Sequence, residues 1–228
     1  MNLLAFDTAT TGCSAAAFID GTLSGHRSAA MARGQSEALM PMIDEVLSDA
    51  GLTYQNLSAL AVTVGPGAFT GLRIGLAAAR GLAIGLGLPL AGVTTLEAVA
   101  SSVPDDIRDG RHVAVALDSK REDLYFQVFD PDLVPLSAPA AVMPENLLQA
   151  CPGADLVVAG DAEDRALNAL AGYQGKVIPA GVSGVPDAAL VGIIALGRPL
   201  PAAGDPPAPI YLRPPDAVRP KNGGRLRP

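Results

Sequence analysis

The sequence predicts an α/β protein that is built from two similar lobes. Apolar, strand-like runs alternate with runs whose apolar residues recur at helical spacing, which is typical of mixed α/β architectures. The unit strand, Asp, polar turn, strand, Asp occurs twice, from residue 2 to Asp20 and again from residue 112 to Asp130. This repetition indicates duplicated lobes.

Three strands open the first lobe, at residues 2–6, 15–19 and 22–29. The dipeptide Asp20-Gly21 between the second and third is a hairpin signal, because both residue types tolerate a positive φ. We therefore predict an antiparallel hairpin at the start of the chain.

The rest of the first lobe is predicted to alternate helices with strands. Apolar residues recur at helical spacing from Leu39 to Ala50, and Gly51 ends this helix. Pro41 either lies near the helix start or kinks the helix. A Gly-rich run at residues 65–75 joins the next strand to a long helix. The remaining elements are strands at residues 60–64 and 89–93 and helices at about 70–85 and 94–101.

The second lobe begins after a polar break at residues 104–110. Its elements are strands at 112–117, 124–129 and 156–159, helices at 162–171 and 188–196, and an extended, Pro-rich segment from Pro199. Two lobes that each open with a hairpin and face one another form the actin-like (ribonuclease-H-like) arrangement, in which each hairpin offers a loop to a phosphate in the cleft. We predict a first lobe at residues 1–103, a smaller second lobe at 104–215 and a basic, disordered tail at 216–228.

The charge balance argues against a chain that holds a polyanion by itself, because the net charge is −7. Five of the 16 basic residues nevertheless lie within the last 18 positions. Two interpretations of this segment stay open, a solubilising tail and a weak RNA-contacting arm. Cys13 and Cys151 have no metal-ligand spacing. The start of the chain resembles no export signal and no apolar run is long enough to cross a bilayer, so we expect a cytoplasmic protein.

The candidate nucleotide-binding residues are Asp7, Thr8, Gly65, Gly67 and Asp118. Asp7 and Thr8 either line an ATP-phosphate loop or bond the backbone of their own hairpin. The Gly65-Pro66-Gly67 turn precedes a helix N-terminus, so it is either an anion cradle or a structural turn. It lacks the Lys and hydroxyl pair of a P-loop. Paired carboxylates at Asp7 and Asp118, without a metal, do not make a hydrolase.

The helix that follows the Gly-rich turn carries four glycines, each of which costs up to about 1 kcal/mol relative to Ala. Close approach of another backbone would offset that cost. The other backbone is either this chain's own sheet or a partner that also contacts the helix of residues 36–50. The candidate partner-interface residues are Leu39, Ile43, Gly71, Arg73, Gly75, Ala78, Ala79 and Leu82.

Five stretches carry a family resemblance, at residues 4–10, 35–43, 65–75, 118–122 and 209–213. On these stretches the chain resembles the TsaB family of bacterial proteins, also called YeaZ and glycoprotease-like. The resemblance implies an actin-like fold and a role in threonylcarbamoyl transfer to the tRNA adenosine beside the anticodon. In that system TsaB is a non-catalytic subunit that activates the related catalytic protein TsaD.

The catalytic relatives have a metal site that this sequence lacks. TsaD-like proteins follow their long helix with Gly-Val-Asn-His-Leu-Glu-Gly-His, whose two histidines bind the metal. This chain has Thr95 and Val99 at the matching positions, and its two histidines, His26 and His112, lie in different lobes. Because Val has no donor atom and Thr is a poor transition-metal ligand, we expect no metal site and no catalytic residue.

The resemblance therefore implies a scaffold and activator rather than an enzyme. Its expected partners are a TsaD-like catalytic subunit, a TsaE-like ATPase, a second copy of the chain when alone, and tRNA indirectly through the complex. No cofactor is expected, although weak ATP or ADP binding in the cleft stays open. The alternatives are a divergent ATPase or peptidase that uses the interlobe cleft, and a homodimeric binding module.

Overall fold

Two five-stranded sheets form the two lobes. The structure is a computed structural model that describes residues 1–213, so the predicted tail at 216–228 lies outside the described residues. The first sheet contains β1 (Asn2–Asp7), β2 (Gly12–Ile19), β3 (Thr22–Ala30), β4 (Ala59–Thr63) and β5 (Leu90–Val93). The second contains β6 (His112–Asp118), β7 (Leu124–Phe129), β8 (Ala140–Val142), β9 (Leu156–Ala159) and β10 (Val177–Pro179).

Seven α-helices are assigned within residues 1–213. They are α1 (Gln35–Asp49), α2 (Phe69–Leu86), α3 (Thr95–Ala100), α4 (Asp105–Arg108), α5 (Leu147–Ala150), α6 (Glu163–Ala169) and α7 (Ala188–Leu196). Pro41 lies inside α1, in its second turn. The predicted helices are confirmed to within a few residues, whereas α4, α5 and the edge strands β8 and β10 have no counterpart among the predicted elements.

The two sheets share one topology. Their strand orders are β3-β2-β1-β4-β5 and β8-β7-β6-β9-β10. In each lobe the first strand pairs antiparallel with the second and parallel with the fourth. Asp20 and Gly21 at the first hairpin have φ of 48° and 80°, as a two-residue turn with positive φ requires. The predicted α/β class with two actin-like, ribonuclease-H-like lobes is confirmed.

The first sheet is covered on both faces, and for that reason β1 and β4 are buried and apolar except at their ends, at Asn2, Asp7 and Thr63. Leu4 and Phe6 of β1 pack with α1 and α2, while Leu3 and Ala5 face the other side. The apolar helix α7 covers that second side, and Asp187 caps its N-terminus by accepting from the Ala189 N–H. Although residues 188–196 fall within the predicted second lobe, they pack on the first sheet.

The N-terminal half of α2 lies very close to the loop that follows β1. A Cβ atom added at Gly71 would lie 2.0 Å from the Thr8 carbonyl oxygen, and one at Gly75 would lie 2.7 Å from Thr8 Oγ1. The same construction at Gly81 and Gly85 meets nothing within 4 Å. Contacts within the described chain therefore explain two of the four helical glycines and leave the other two without a packing reason.

Helix α2 also meets a length and composition test for membrane crossing, with 18 residues at a hydropathy of 1.3, and among residues 1–213 it is the one helix that does. The expectation that no apolar run is long enough is therefore wrong on those criteria, because Arg73 and Arg80 do not lower the mean sufficiently. Core helices of soluble proteins pass the same test, and one face of α2 packs on its own sheet.

The two kinds of glycine in α2 predict opposite effects of the same substitution. Gly81→Ala should raise the free energy of unfolding by about 1 kcal/mol, because Ala has the higher helix propensity and the space is open. Gly71→Ala should lower it by about 1 to 3 kcal/mol, because the new methyl group collides with the Thr8 backbone. Urea denaturation of both variants at one pH measures the difference, and equal effects would contradict the assigned packing.

Candidate functional site

A cavity of about 1200 Å³ separates the two lobes. On the first lobe its walls are the turn after β1, the segment leading into α1 and the start of α2. On the second lobe they are the end of β6 with its turn and Asp161. The C-terminal segment at residues 210–213 completes the lining. Both hairpin turns thus reach the cleft, as the actin-like prediction requires.

Basic side chains outnumber acidic ones around the cleft. Two carboxylates, Asp118 and Asp161, line it together with five basic residues, which are Arg33, Arg73, Lys120, Arg121 and Arg213. This excess of positive charge contrasts with the net charge of −7 of the whole chain. The cleft therefore favours anionic over cationic ligands.

The N-termini of the two longest described helices add to this positive potential. Gly34 and Ala68, the N-cap residues of α1 and α2, both line the cavity, and neither helix has a side-chain cap. Uncapped first-turn N–H groups and the helix dipole attract negative charge.

Asp118 is held as a charged group at the second-lobe turn. One of its carboxylate oxygens accepts a hydrogen bond from the Lys120 N–H at 2.8 Å, and the other pairs with Lys120 Nζ at 2.8 Å. Burial acts to raise the pKa of Asp118, but the bonds from Lys120 and the Arg165 guanidinium outweigh it and lower the pKa. Burial raises the pKa of the neighbouring Asp161, whose Oδ1 accepts from the Asp118 N–H at 2.7 Å.

Asp7 occupies the equivalent position in the first lobe but is fully buried. Its Oδ1 accepts hydrogen bonds from the Thr63 hydroxyl and from the Ala9 N–H, while Oδ2 has no partner among the described residues. Burial raises the pKa of Asp7 to about 7, and the Asp187 carboxylate adds to the rise against the opposing hydrogen bonds. The carboxyl group therefore keeps a proton to far higher pH than a free Asp side chain does, and it changes charge near neutral pH.

The structure separates the five predicted nucleotide-binding residues. Gly67 and Asp118 line the cleft, but Asp7, Thr8 and Gly65 do not. The start of α2 covers the loop after β1, because Thr8 Oγ1 donates to the Gly71 carbonyl at 2.8 Å and the Ala68 N–H donates to the Ala9 carbonyl at 2.7 Å.

Gly65 lies in a tightly packed turn, and whether this turn also binds an anion stays a prediction. Its φ is 103°, and a Cβ there would lie 2.9 Å from the Ile210 carbonyl oxygen. The cleft residues Arg33, Lys120, Arg121, Tyr211 and Arg213 are absent from the predicted set. The basic ones lie close to a predicted turn or to the chain end, and all except Arg33 fall in the resemblance stretches at 118–122 and 209–213.

Most predicted partner-interface residues pack inside this chain. Leu39, Ile43, Gly71, Gly75 and Ala79 are buried in the core or against the loop after β1. Ala78 and Leu82 are partly buried and Arg73 is exposed. The prediction that these five buried residues contact a partner is therefore wrong. The small residues among them, Gly71, Gly75 and Ala79, bring α2 close to its own lobe.

A different stripe of α2 faces outward. Ala77, Gly81 and Ile84 follow one another at helical spacing and are exposed, Ile84 to 82%. On the adjacent helix α1, Met40 is also exposed. We call these four residues the α1–α2 outer face.

The two positions that match metal-binding histidines of TsaD-like proteins lie in the interior. Thr95 and Val99 of α3 are both 0% exposed, and Val99 belongs to a core shared with β6. Among residues 1–213, no group of three or more His, Cys, Asp or Glu side chains is arranged to hold a metal ion. That the chain works without a metal stays a prediction.

The protein therefore belongs to the class of two-lobed proteins with the actin-like fold. Its two lobes enclose a cationic cleft, and an exposed helical face lies beside the cleft. A family model described as TsaD, tRNA N6-adenosine threonylcarbamoyltransferase, matches residues 28–161. The TsaB protein of Escherichia coli, described as a tRNA threonylcarbamoyladenosine biosynthesis protein, is 36% identical over 132 residues, which cover 58% of this chain and 56% of that protein. The chain thus spans about half the length of the curated relatives that it matches first.

Other similarities extend over nearly the whole chain. An uncharacterized protein of Mycobacterium tuberculosis is 34% identical over 218 residues, covering 94% of this chain and 93% of that one. YeaZ from Pseudomonas aeruginosa has a solved structure with a TM-score of 0.76 and 26% identity, covering 92% of this chain and 99% of that chain. The chain belongs to the TsaB (YeaZ) family and to the wider family that the TsaD model describes.

The buried Asp7 predicts a specific pH dependence of stability. Its pKa is about 7 in the folded state and 3.8 for a free side chain, so the folded state keeps a proton that the unfolded state releases between these values. The free energy of unfolding should therefore fall as pH rises through this window, by up to about 1.4 kcal/mol per pH unit. Asp7→Asn, which mimics the protonated acid, should remove this component.

Urea denaturation of the wild type and Asp7→Asn from pH 5 to 8 tests this expectation. The variant should gain stability relative to the wild type as pH rises, since all other titrating groups are common to both. Parallel pH profiles would show that the Asp7 carboxyl does not hold a proton in the folded state.

Proposed function

We propose that this chain is a non-catalytic subunit of tRNA threonylcarbamoyladenosine biosynthesis that activates a TsaD-like catalytic partner. The named TsaB relatives of E. coli, Haemophilus influenzae and Bacillus subtilis support the pathway, at 30 to 36% identity over part of the chain. The observation that carries the scaffold role is the α1–α2 outer face, where Gly81 has open space around it and Ile84 is 82% exposed.

A docked partner helix would account for the sequence of this face. Glycine in a helix interior is unfavourable by about 1 kcal/mol relative to Ala, and nothing in the described chain approaches Gly81 or Gly85. A second helix could approach closely at these positions and cover Ile84 and Met40. The partner surface proposed here is therefore the outer stripe of α2 with α1, in place of the buried stripe that contains Gly71 and Gly75.

The interior positions of Thr95 and Val99 support a non-catalytic role. The residues of a TsaD-like active site would have to project toward a ligand, yet both side chains here are 0% exposed. Threonylcarbamoyl transfer to the tRNA adenosine beside the anticodon is thus assigned to the partner. That partner has counterparts such as the tRNA N6-adenosine threonylcarbamoyltransferase of Erythrobacter litoralis, which is 42% identical to this chain over 71 residues.

The remaining parts of the proposal follow the family. A TsaE-like ATPase joins the complex, a second copy of the chain covers the outer face when the catalytic subunit is absent, and the complex works in the cytoplasm. The chain itself needs no cofactor for this role. Purified chain that hydrolysed ATP or a peptide at ordinary enzyme rates would favour the alternative, an enzyme that uses the cleft.

Reconstitution of the modification reaction tests the function directly. Unmodified tRNA, the TsaD-like and TsaE-like proteins and the threonylcarbamoyl donor are incubated with and without this chain. Modified nucleoside, measured by mass spectrometry, should form only in its presence. Equal product in both reactions would contradict the activator role.

The outer face predicts a variant that separates binding from folding. Ile84→Arg should weaken co-purification with the TsaD-like partner by about tenfold or more, because a charge would be buried at the centre of the contact. The matched control is Ile193→Arg on α7, which is also exposed, to 55%, but lies on the other side of the first sheet.

Both variants should keep the circular dichroism spectrum and melting temperature of the wild type. Light scattering of the isolated chain then shows whether Ile84→Arg also shifts a dimer to a monomer. If Ile84→Arg binds the partner as well as the control does, the interface lies elsewhere.

A further inference from the structure

Two aromatic rings and a guanidinium group lie together at the mouth of the interlobe cleft, with the rings tilted by 38° to each other. The Arg73 guanidinium carbon lies 3.5 Å from the centroid of the Phe69 ring, and Arg73 Nε donates to the Tyr211 hydroxyl at 3.3 Å. The Phe69 and Tyr211 rings are 5.7 Å apart between centroids. Phe69 is 51% exposed and Tyr211 45%. We call these three residues the stacking platform.

The platform adjoins unneutralised positive charge. Among the described residues neither Arg33 nor Arg73 has a carboxylate partner, whereas Lys120 pairs with Asp118 and Arg213 pairs with Asp123. Phe69 is the first residue of α2, so the uncapped N–H groups of that helix lie beside the platform. The uncapped start of α1 follows Arg33 on the same wall of the cleft.

We propose that the cleft mouth binds single-stranded RNA directly. An unpaired base stacks on the Phe69–Arg73–Tyr211 platform, and the flanking phosphates lie on Arg33 and the N-termini of α1 and α2. Stacking on aromatic rings and guanidinium planes with phosphate contacts alongside is the recognition mode of unpaired nucleotides. This goes beyond the proposed function, in which RNA contacts only the catalytic partner.

The arrangement favours a single strand over a duplex and over a free nucleotide. A base in a duplex has no free face to stack on a protein ring. The basic side chains come from both lobes and line a cavity of about 1200 Å³, which is more cationic surface than one nucleotide covers. The platform is half exposed rather than an enclosed pocket, as fits a base that remains part of a chain.

The platform and the proposed protein interface are centred at opposite ends of α2. Phe69 and Arg73 lie in the first turns of the helix and Ile84 in the last, so at about 1.5 Å per residue Ile84 is about 16 to 23 Å from them along the axis, although Ala77 lies one turn from Arg73. A partner centred on Gly81 and Ile84 therefore leaves Phe69 at the cleft mouth open. Arg73, predicted as an interface residue, is assigned to RNA.

Fluorescence anisotropy of the full chain without partners tests the proposal. The probe is a labelled single-stranded RNA of about 15 nucleotides at about 50 mM salt, compared with the same RNA in a duplex and with ATP as a competitor. The single strand should bind more tightly than the duplex, and binding should weaken steeply as salt rises. Duplex binding as tight as single-strand binding, or displacement by micromolar ATP, would overturn the proposal.

Variants place the binding at the platform. Phe69→Leu, which keeps an apolar side chain but removes the flat ring, and Arg33→Ala should each weaken single-strand binding by about tenfold. Arg27→Ala is the matched control. It removes an arginine of β3 that pairs with Asp49 of α1 and does not line the cleft. Phe69→Leu should leave the salt dependence unchanged, whereas Arg33→Ala should reduce its slope by about one.

Circular dichroism and melting temperature confirm that each variant is folded. If Phe69→Leu and Arg33→Ala both bind RNA as tightly as the Arg27→Ala control and the wild type do, the cleft is not the site. Because no partner protein is present, failure here would leave the reconstitution result unaffected, and a failed reconstitution would leave this binding result standing.

Discussion

The contact between α2 and the loop after β1 determines much of the first lobe. Two hydrogen bonds, from Thr8 Oγ1 to the Gly71 carbonyl and from the Ala68 N–H to the Ala9 carbonyl, hold the helix start on that loop. This approach is open only to glycine at position 71, since a Cβ would lie 2.0 Å from the Thr8 carbonyl oxygen. The contact also places the free N–H groups of the helix at the cleft, whose lining includes Ala68 and Phe69. Thr8 and Ala9 of the loop are thereby packed in the interior, while Thr10 and Thr11 line the cleft.

The same contact divides α2 into two halves with different environments. The first half is fixed to its own lobe and carries Phe69 and Arg73 to the cleft mouth, where Tyr211 of the C-terminal segment joins them. The second half keeps its glycines in open space. One helix therefore carries the stacking platform near its start and the exposed glycines and Ile84 near its end. A chain with a net charge of −7 can have a basic cleft because most of its acidic residues lie outside the cleft lining.

Periodicity and turn chemistry in the sequence are sufficient to predict most of the fold. The central strands, both hairpins and α1, α2 and α7 are long or strongly apolar, so their patterns are unambiguous. The edge strands β8 and β10 have only three residues each, too few for a period to be recognised. The lobe to which α7 belongs depends on tertiary packing, which a local pattern does not contain. For the same reason the sequence predicts glycines at contact spacing in α2 but not which of them contact the chain itself. The basic residues of the cleft come from distant segments, and only the fold brings Arg33, Lys120 and Arg213 together.

Asp7 and Asp118 show how one repeated motif acquires two electrostatic states. Each ends the first strand of its sheet and each accepts a bond from the N–H two residues later, Ala9 in one lobe and Lys120 in the other. The difference lies in what covers them. The Asp7 side chain lies on the α7 face of its sheet, where it is fully buried, bonds Thr63 and faces the charge of Asp187, and burial raises its pKa. Asp118 is partly exposed, and Lys120 and Arg165 reach its carboxylate and lower its pKa. The charged carboxylate of Asp118 in turn holds Lys120 at the cleft wall. The turn after β6 is therefore polar and open to the cleft, whereas Asp7 and Thr8 at the end of β1 are buried. The two lobes thus share a topology but give the equivalent carboxylates different environments, a buried one at Asp7 and a partly exposed, ion-paired one at Asp118.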